Sequence, residues 1–217
     1  MHRLHLTPEK AEIVGAMIGD KSRFGFYKRY GNWTKSKKPR GILEICLGSS
    51  GQWGTRLSTL AFRAYGLRGS IYFQRKTPPR RPEWRFTISS RRVVEDLLPF
   101  FDPAWRAETW RVAPPILGAS KKSIQDLLRG YMDADGFVHS SNTRGVRVES
   151  VNEKGLIDIQ FLLGKLGIEA RLYARKTRAV WTLQISRKEN VLRYRKLIGF
   201  SLLHKKEALN VICKKYR

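Results

Sequence analysis

The chain has 217 residues, 41% of them hydrophobic, enough for one domain or two small ones around a real core. Its 43 lysines and arginines outnumber 18 aspartates and glutamates, a net charge of +25. No run of about eighteen apolar residues offers a membrane span, Cys46 and Cys213 are too few for a disulfide framework, and His2, His5, His139 and His204 supply no zinc-ligand spacing.

Thr7-Pro8 predicts a helix start, with Pro8 at the first helical position and the helix running to about residue 19. Strands are expected at about 23–31 and 41–48, separated by the basic, turn-rich "GNWTKSKKPRG". A helix at about 53–65 stops at Gly66, a C-cap candidate. Strands at 70–77 and 83–89 flank "PPRRP", and a helix covers about 91–101. The second half reads alike: helix 121–134, strands 137–141 and 146–151, and helix 153–166 ending at Gly167. Strands 168–175 and 179–186 and helices 188–198 and 205–215 complete it. "ETWRVAPPILGAS", with two prolines, reads as a linker. The expected division is residues 1–107, a linker at 108–120, and 121–217, each unit an α+β αββαββα arrangement.

A charge of this size calls for a polyanionic partner. Basic residues alternate with aromatics in "RFGFYKRY", "SIYFQRK" and "ARLYARKTRAVW", as on one face of a strand. That pattern suits a phosphate-lined groove better than a flat bilayer, so nucleic acid is expected and a membrane is not. The start, "MHRLHLTPEK", has the marks of neither a signal nor a transit peptide, and an intracellular protein is expected.

The two halves also match residue by residue. "VGAMIGDKSRFGF" (14–26) aligns with "RGYMDADGFV" (129–138), pairing Gly15 with Gly130, Met17 with Met132 and Asp20 with Asp135. Farther on, Arg75-Lys76-Thr77 falls on Arg175-Lys176-Thr177, and Trp84, Ile88 and Ser89 fall on Trp181, Ile185 and Ser186. One fold unit is written twice, as in a pseudo-two-fold chain. Gly15 and Gly19 in one motif helix, and Gly130 and Ala134 in the other, stand four apart and permit close packing. Packed so, the helices bring Asp20 and Asp135 out side by side, where they repel each other and face negative helix poles. A hard divalent cation held by carboxylate and backbone carbonyl oxygens would compensate. Beside phosphates such an ion supports phosphodiester hydrolysis. Asp133 aligns with Ile18, so the symmetry gives it no catalytic role, and it is expected to be structural or peripheral.

"IVGAMIGDK" (13–21) and "LRGYMDADG" (128–136) resemble the two motif copies of a single-chain LAGLIDADG homing endonuclease, and the resemblance extends over essentially the whole chain. Lys21 stands where the family often has glycine. The resemblance implies two antiparallel four-stranded sheets forming a DNA-binding saddle, the motif helices packed between units, and a monomer acting as a pseudo-dimer. It implies a site-specific, staggered double-strand cut at a long, nearly asymmetric target, in the service of intron homing. Metal would be held by Asp20 and Asp135 with Gly19 and Ala134: Mg²⁺, with Mn²⁺ substituting and Ca²⁺ supporting binding without cleavage. It further implies a water-orienting polar residue after each unit's second strand, for which Ser49, Ser50 and Gln52 in the first unit and Asn152 in the second are candidates. A basic residue is implied near each unit's end: Lys205, with His204 and Lys206 as rivals, and Arg106 in the first unit. DNA contacts are expected from Arg23, Tyr27, Lys28, Arg29, Trp33, Lys35, Lys37, Lys38, Arg75, Lys76, Arg80, Arg81, Arg85, Arg144, Arg147, Arg171, Arg175, Lys176 and Arg178, with arginine favouring guanine edges. Trp84 and Trp181 are read as sheet packing. An intron RNA maturase of the same fold and a non-cleaving DNA-binding regulator are the alternative functions.

Overall fold

The structure, a computed structural model, describes residues 5–20, 23–27, 39–48, 51–75, 81–101, 106–140, 144–175 and 178–216. Helix α1 (Pro8–Gly19) begins on Thr7, whose side chain accepts from the Lys10 amide, and Pro8 opens the first turn. Helix α5 (Lys121–Asp135) begins on Ser120, whose hydroxyl accepts from Ser123 N at 3.1 Å. Every α1 residue from Ala11 to Gly19 is buried, the mark of a helix packed on all sides.

The two helices pack backbone against backbone. A Cβ on Gly15 would overlap the Leu127 carbonyl, one on Gly130 the Glu12 carbonyl, and one on Gly19 the Ala134 side chain. Neither overlap at Gly15 nor that at Gly130 can be relieved by a rotamer change. Gly130→Ala is therefore expected to cost about 3 kcal/mol, the upper end of overpacking penalties, in urea denaturation. An unchanged midpoint would contradict the close crossing.

Each unit builds one antiparallel sheet. The first contains β1 (Phe24–Tyr27), β2 (Arg40–Gly48), β3 (Ser70–Gln74) and β4 (Glu83–Ser89), in the order β1-β2-β4-β3. The second contains β5 (Phe137–His139), β6 (Gly145–Ser150), β7 (Arg171–Ala174) and β8 (Trp181–Ile185), in the equivalent order β5-β6-β8-β7. Strand alternation sorts their faces. Leu43, Ile45, Leu47, Phe86 and Ile88, and in the second sheet Val146, Val148, Leu183 and Ile185, join the core. Glu44, Cys46, Arg85 and Thr87 point the other way, as do Arg147, Glu149, Thr182 and Gln184. The core faces are covered by α2 (Gln52–Tyr65) and α3 (Arg91–Leu97) in the first unit, and by α6 (Glu153–Lys165), α7 (Lys188–Leu197) and α8 (Leu203–Lys214) in the second. Gly66 ends α2 in the left-handed region, φ 70°, as expected of a glycine cap.

The boundaries differ from expectation where local chemistry intervenes. The helix expected to 101 stops at Leu97 and tightens into a 3₁₀ turn at Leu98–Phe100, since Pro99 has no amide to donate. The linker is not plain coil: Pro114 and Pro115 start a single-turn helix, α4 (Pro114–Leu117). Trp110, also from this stretch, is buried against Tyr131 with ring centroids 5.7 Å apart. Trp84 and Trp181 are partly buried against the core, as read. Among the described residues no helix is long and apolar enough to cross a membrane.

Candidate active site

Helix α1 ends at Gly19, and Asp20 follows in extended conformation, its amide donating to Ala16 O at 2.9 Å. Asp135 is the last residue of α5, with Gly136 closing onto Met132 O at 2.9 Å. Both acids line one cleft of about 310 Å³, together with Cys46, Leu47 and Gly48 from β2, Trp53 from α2, Asp133 and Ala134 from α5, and Leu202, His204 and Lys205 at the start of α8. The repeat thus places its two matched acids in a single site.

The electrostatics there are unfavourable to two bare carboxylates. The Asp20 carboxyl is pushed up to about 7, first by burial, then by the Asp135 and Glu83 carboxylates, with the Cys46 thiol and Arg85 pulling it partly back. Burial, with Asp20 and Glu83 adding to it, also pushes the Cys46 thiol up to about 11, so that it stays protonated. Asp135 is exposed. In the second unit the negative helix pole has a cation of its own: Lys205 Nζ donates to the carbonyls of Met132 (3.3 Å), Asp133 (2.6 Å) and Ala134 (3.4 Å). Burial lowers the pKa of this lysine. Arg106, its expected counterpart, is exposed and does not line the cleft.

Asp133 is structural, as its unmatched position indicates. It is 1% exposed, and its carboxylate accepts from Ser201 N at 3.0 and 3.1 Å, from the Ser201 hydroxyl and from Leu202 N.

Two expected water-orienting residues are not brought to this cleft. Asn152 is buried as the N-cap of α6: its Oδ1 accepts from Gly155 N at 3.0 Å and its Nδ2 donates to Trp110 O at 2.6 Å. Gln52 is the exposed first residue of α2, one place past the cap. Cys46, read in the sequence only as one of two cysteines too few for a disulfide framework, is the side chain that β2 presents to Asp20. Its alternation with Leu43, Ile45 and Leu47 is the signal that could have found it.

The outer sheet faces carry the expected basic residues among acids that composition alone did not place. Arg85 is held between Glu83 and Glu44, and Tyr72 donates to Glu44 at 2.8 Å. Arg175 pairs with Glu149 at 2.9 Å. Arg147 and Arg171 both stand opposite Gln184, which accepts from Tyr173 at 2.9 Å. Arg23 lies over Tyr27, and Arg75, Arg81, Arg144 and Arg178 are exposed at or beyond strand ends. Lys28, Arg29, Trp33, Lys35, Lys37, Lys38, Lys76, Arg80 and Lys176 lie outside the described residues, as do Lys21, Ser49 and Ser50. With Leu43 against Ile88 and Val146 against Ile185, Glu44 corresponds to Arg147 and Arg85 to Thr182. The halves share a frame and present different chemistry.

Residues 123–199 match the family profile described as LAGLIDADG-like domain. A curated protein of Thermococcus kodakarensis, "Probable translation initiation factor IF-2", is 37% identical over 112 residues, 52% of this chain and 9% of that protein. Its namesake from Methanocaldococcus jannaschii is 31% identical over 105 residues, 46% of this chain and 9% of that protein. The chain therefore spans about 9% of the length of these curated relatives. Among solved structures, I-DmoI in complex with DNA and Ca aligns with TM-score 0.64 at 16% identity, covering 95% of this chain and 99% of that one. I-WcaI bound to its DNA recognition sequence aligns with TM-score 0.57 at 12% identity, covering 94% and 87%. Full-length DUF199/WhiA from Thermatoga maritima aligns with TM-score 0.53 at 16% identity, covering 97% and 62%. At these identities the likeness is one of fold.

Proposed function

Taking the chain as a two-unit LAGLIDADG protein, we propose that it is a site-specific, divalent-metal-dependent DNA endonuclease that hydrolyses a phosphodiester of each strand. The observation that carries this reading is the pair of matched carboxylates, Asp20 and Asp135, held in one cleft of a +25 chain at a cost that a cation would remove. The proposed donors, two carboxylates with the carbonyl oxygens of Gly19 and Ala134, are all oxygen and would suit a hard ion. Mg²⁺ is the proposed ion, with Mn²⁺ substituting and Ca²⁺ supporting binding alone. When bound, it supplies polarisation of a phosphoryl oxygen and acidification of water. Structures of I-DmoI are described in complex with DNA and Mn and with DNA and Ca, which supports the choice of partner and ion class.

The chain's own residues then divide the work. The outer faces of the two sheets receive duplex DNA, with the exposed arginines at strand ends gripping phosphate and those facing Gln184 set among base edges. Asp20 and Asp135 would hold the ion, and Lys205 places a positive charge beside Asp135. A monomer with two unlike sheet faces suits a long, nearly asymmetric target cut with a stagger.

Selecting cleaved molecules from a randomised duplex library in Mg²⁺ tests the reading. A defined family of cut sites is expected; no cut duplex, with tight binding of a structured RNA instead, would favour the maturase alternative. Affinity for the selected duplex is expected to fall steeply with salt, with a slope of about five or more in log Kd against log salt, as several phosphate contacts require. A nearly flat titration would contradict binding through the basic sheet faces.

A further inference from the structure

We infer that Asp133 is the positioning residue for Lys205, working through the amino end of α8. The inference rests on the proposed endonuclease reading, in which Lys205 places a positive charge beside Asp135. Asp133 belongs to the motif helix but has no acidic mate: the matched position holds Ile18, which is buried in the core. Its carboxylate is spent on Ser201 and Leu202, the two residues before α8. Leu202, the N-cap of α8, supplies no capping side chain; Asp133 instead ties down the entry to the helix by accepting from the amides of Ser201 and of Leu202 itself. An anion at a helix amino end also suits the helix dipole.

Lys205 lies in the first turn of α8, so whatever fixes that turn fixes the lysine. Its ammonium returns to the carbonyls of Met132, Asp133 and Ala134. The two elements therefore exchange charge: α5 gives a carboxylate to the amino end of α8, and α8 gives an ammonium to the carboxyl end of α5. Asp133 contributes to both halves of the exchange, through its side chain and its own carbonyl. Without the carboxylate, the Ser201 and Leu202 amides lose their partner, and a lysine with four rotatable bonds loses the fixed base that aims it.

Two measurements test this. In metal-free protein, acetylation followed by mass spectrometry compares Lys205 with its exposed neighbour Lys206. Lys205 is expected to react more slowly in the wild type and at a rate close to that of Lys206 in Asp133→Asn, which keeps the size of the side chain but turns an amide toward donors. On the selected duplex at saturating protein, Asp133→Asn and Lys205→Met are each expected to slow the single-turnover rate about tenfold or more, as loss of an orienting partner does. The double variant is expected to be no slower than Lys205→Met, because the two act as one unit. Duplex affinity in Ca²⁺ should hold within about twofold, the range expected of sites that do not couple. Unchanged Lys205 reactivity in Asp133→Asn, or rate losses that multiply in the double variant, would overturn the proposal. Should Asp133→Asn fail to fold, Ser201→Ala removes only the hydroxyl contact and is expected to raise Lys205 reactivity part of the way; no rise would be equally fatal. If the wild type cuts no duplex, the endonuclease reading falls, while the acetylation comparison still decides whether Asp133 pins the lysine.

Discussion

Asp20→Asn is expected to lower the single-turnover cleavage rate by at least about 10³-fold, the scale of several kcal/mol of lost charge stabilisation. Binding of the same duplex in Ca²⁺ or EDTA should remain within a few-fold of wild type or tighten, because a negative charge near phosphate has been removed. Asp135→Asn should lose cleavage likewise, since the two acids line one cleft and stand at matched ends of their helices. Asparagine keeps the size and one oxygen of the side chain, so the fold has no steric reason to respond. Wild-type cutting by either variant would remove the paired acids from the chemistry.

A second expectation concerns stability in the absence of metal. The Asp20 carboxyl holds its proton up to about pH 7 in the folded chain and only to about 3.8, the ordinary value, in the unfolded one. Between those values the folded state binds a proton that the unfolded state has released. Stability contributed by this group is therefore lost as pH rises through the window, by on the order of 4 kcal/mol once it is crossed. In EDTA, Asp20→Asn should be more stable than wild type at pH 8, with the advantage shrinking toward pH 4.5. Divalent ion should raise the wild-type melting temperature more at pH 8 than at pH 5 and should do little for the variant. Parallel pH profiles for the two proteins would contradict a buried, repelling carboxylate. The comparison is made against the variant because other carboxylates set the overall acid limb of both proteins alike.

Much of this site could be read from local chemistry. Thr7-Pro8 and Ser120 announced the motif helices, the small residues at 15, 19, 130 and 134 announced their close crossing, and the repeat separated Asp135 from Asp133. What failed lay one or two residues from a boundary. The units leave their second strands differently: Gly48 takes φ 64° and Gly51 caps α2, whereas Asn152 caps α6 with its own side chain. A correspondence drawn from residue type could not see that Asn152 had been consumed by the helix it starts. Nor could strand alternation alone reveal that Arg85 is shared by Glu44 and Glu83, because one of those partners comes from a neighbouring strand. The role of Asp133 was legible only as a lack of symmetry. Its actual partners, Ser201 and Leu202, lie at the far end of the chain.

The backbone contact between α1 and α5 has a consequence for how such a chain can change over generations. Gly15 meets the carbonyl of Leu127, and Gly130 that of Glu12, so the crossing is set by main-chain sterics and not by rotamers. The spacing of Asp20 and Asp135 inherits that indifference to side-chain identity. Substitutions on the outer sheet faces, where Glu44 already stands for Arg147 and Arg85 for Thr182, can accumulate without shifting the two acids. On the proposed reading, recognition would be free to drift from one sequence to another while the paired acids stay put.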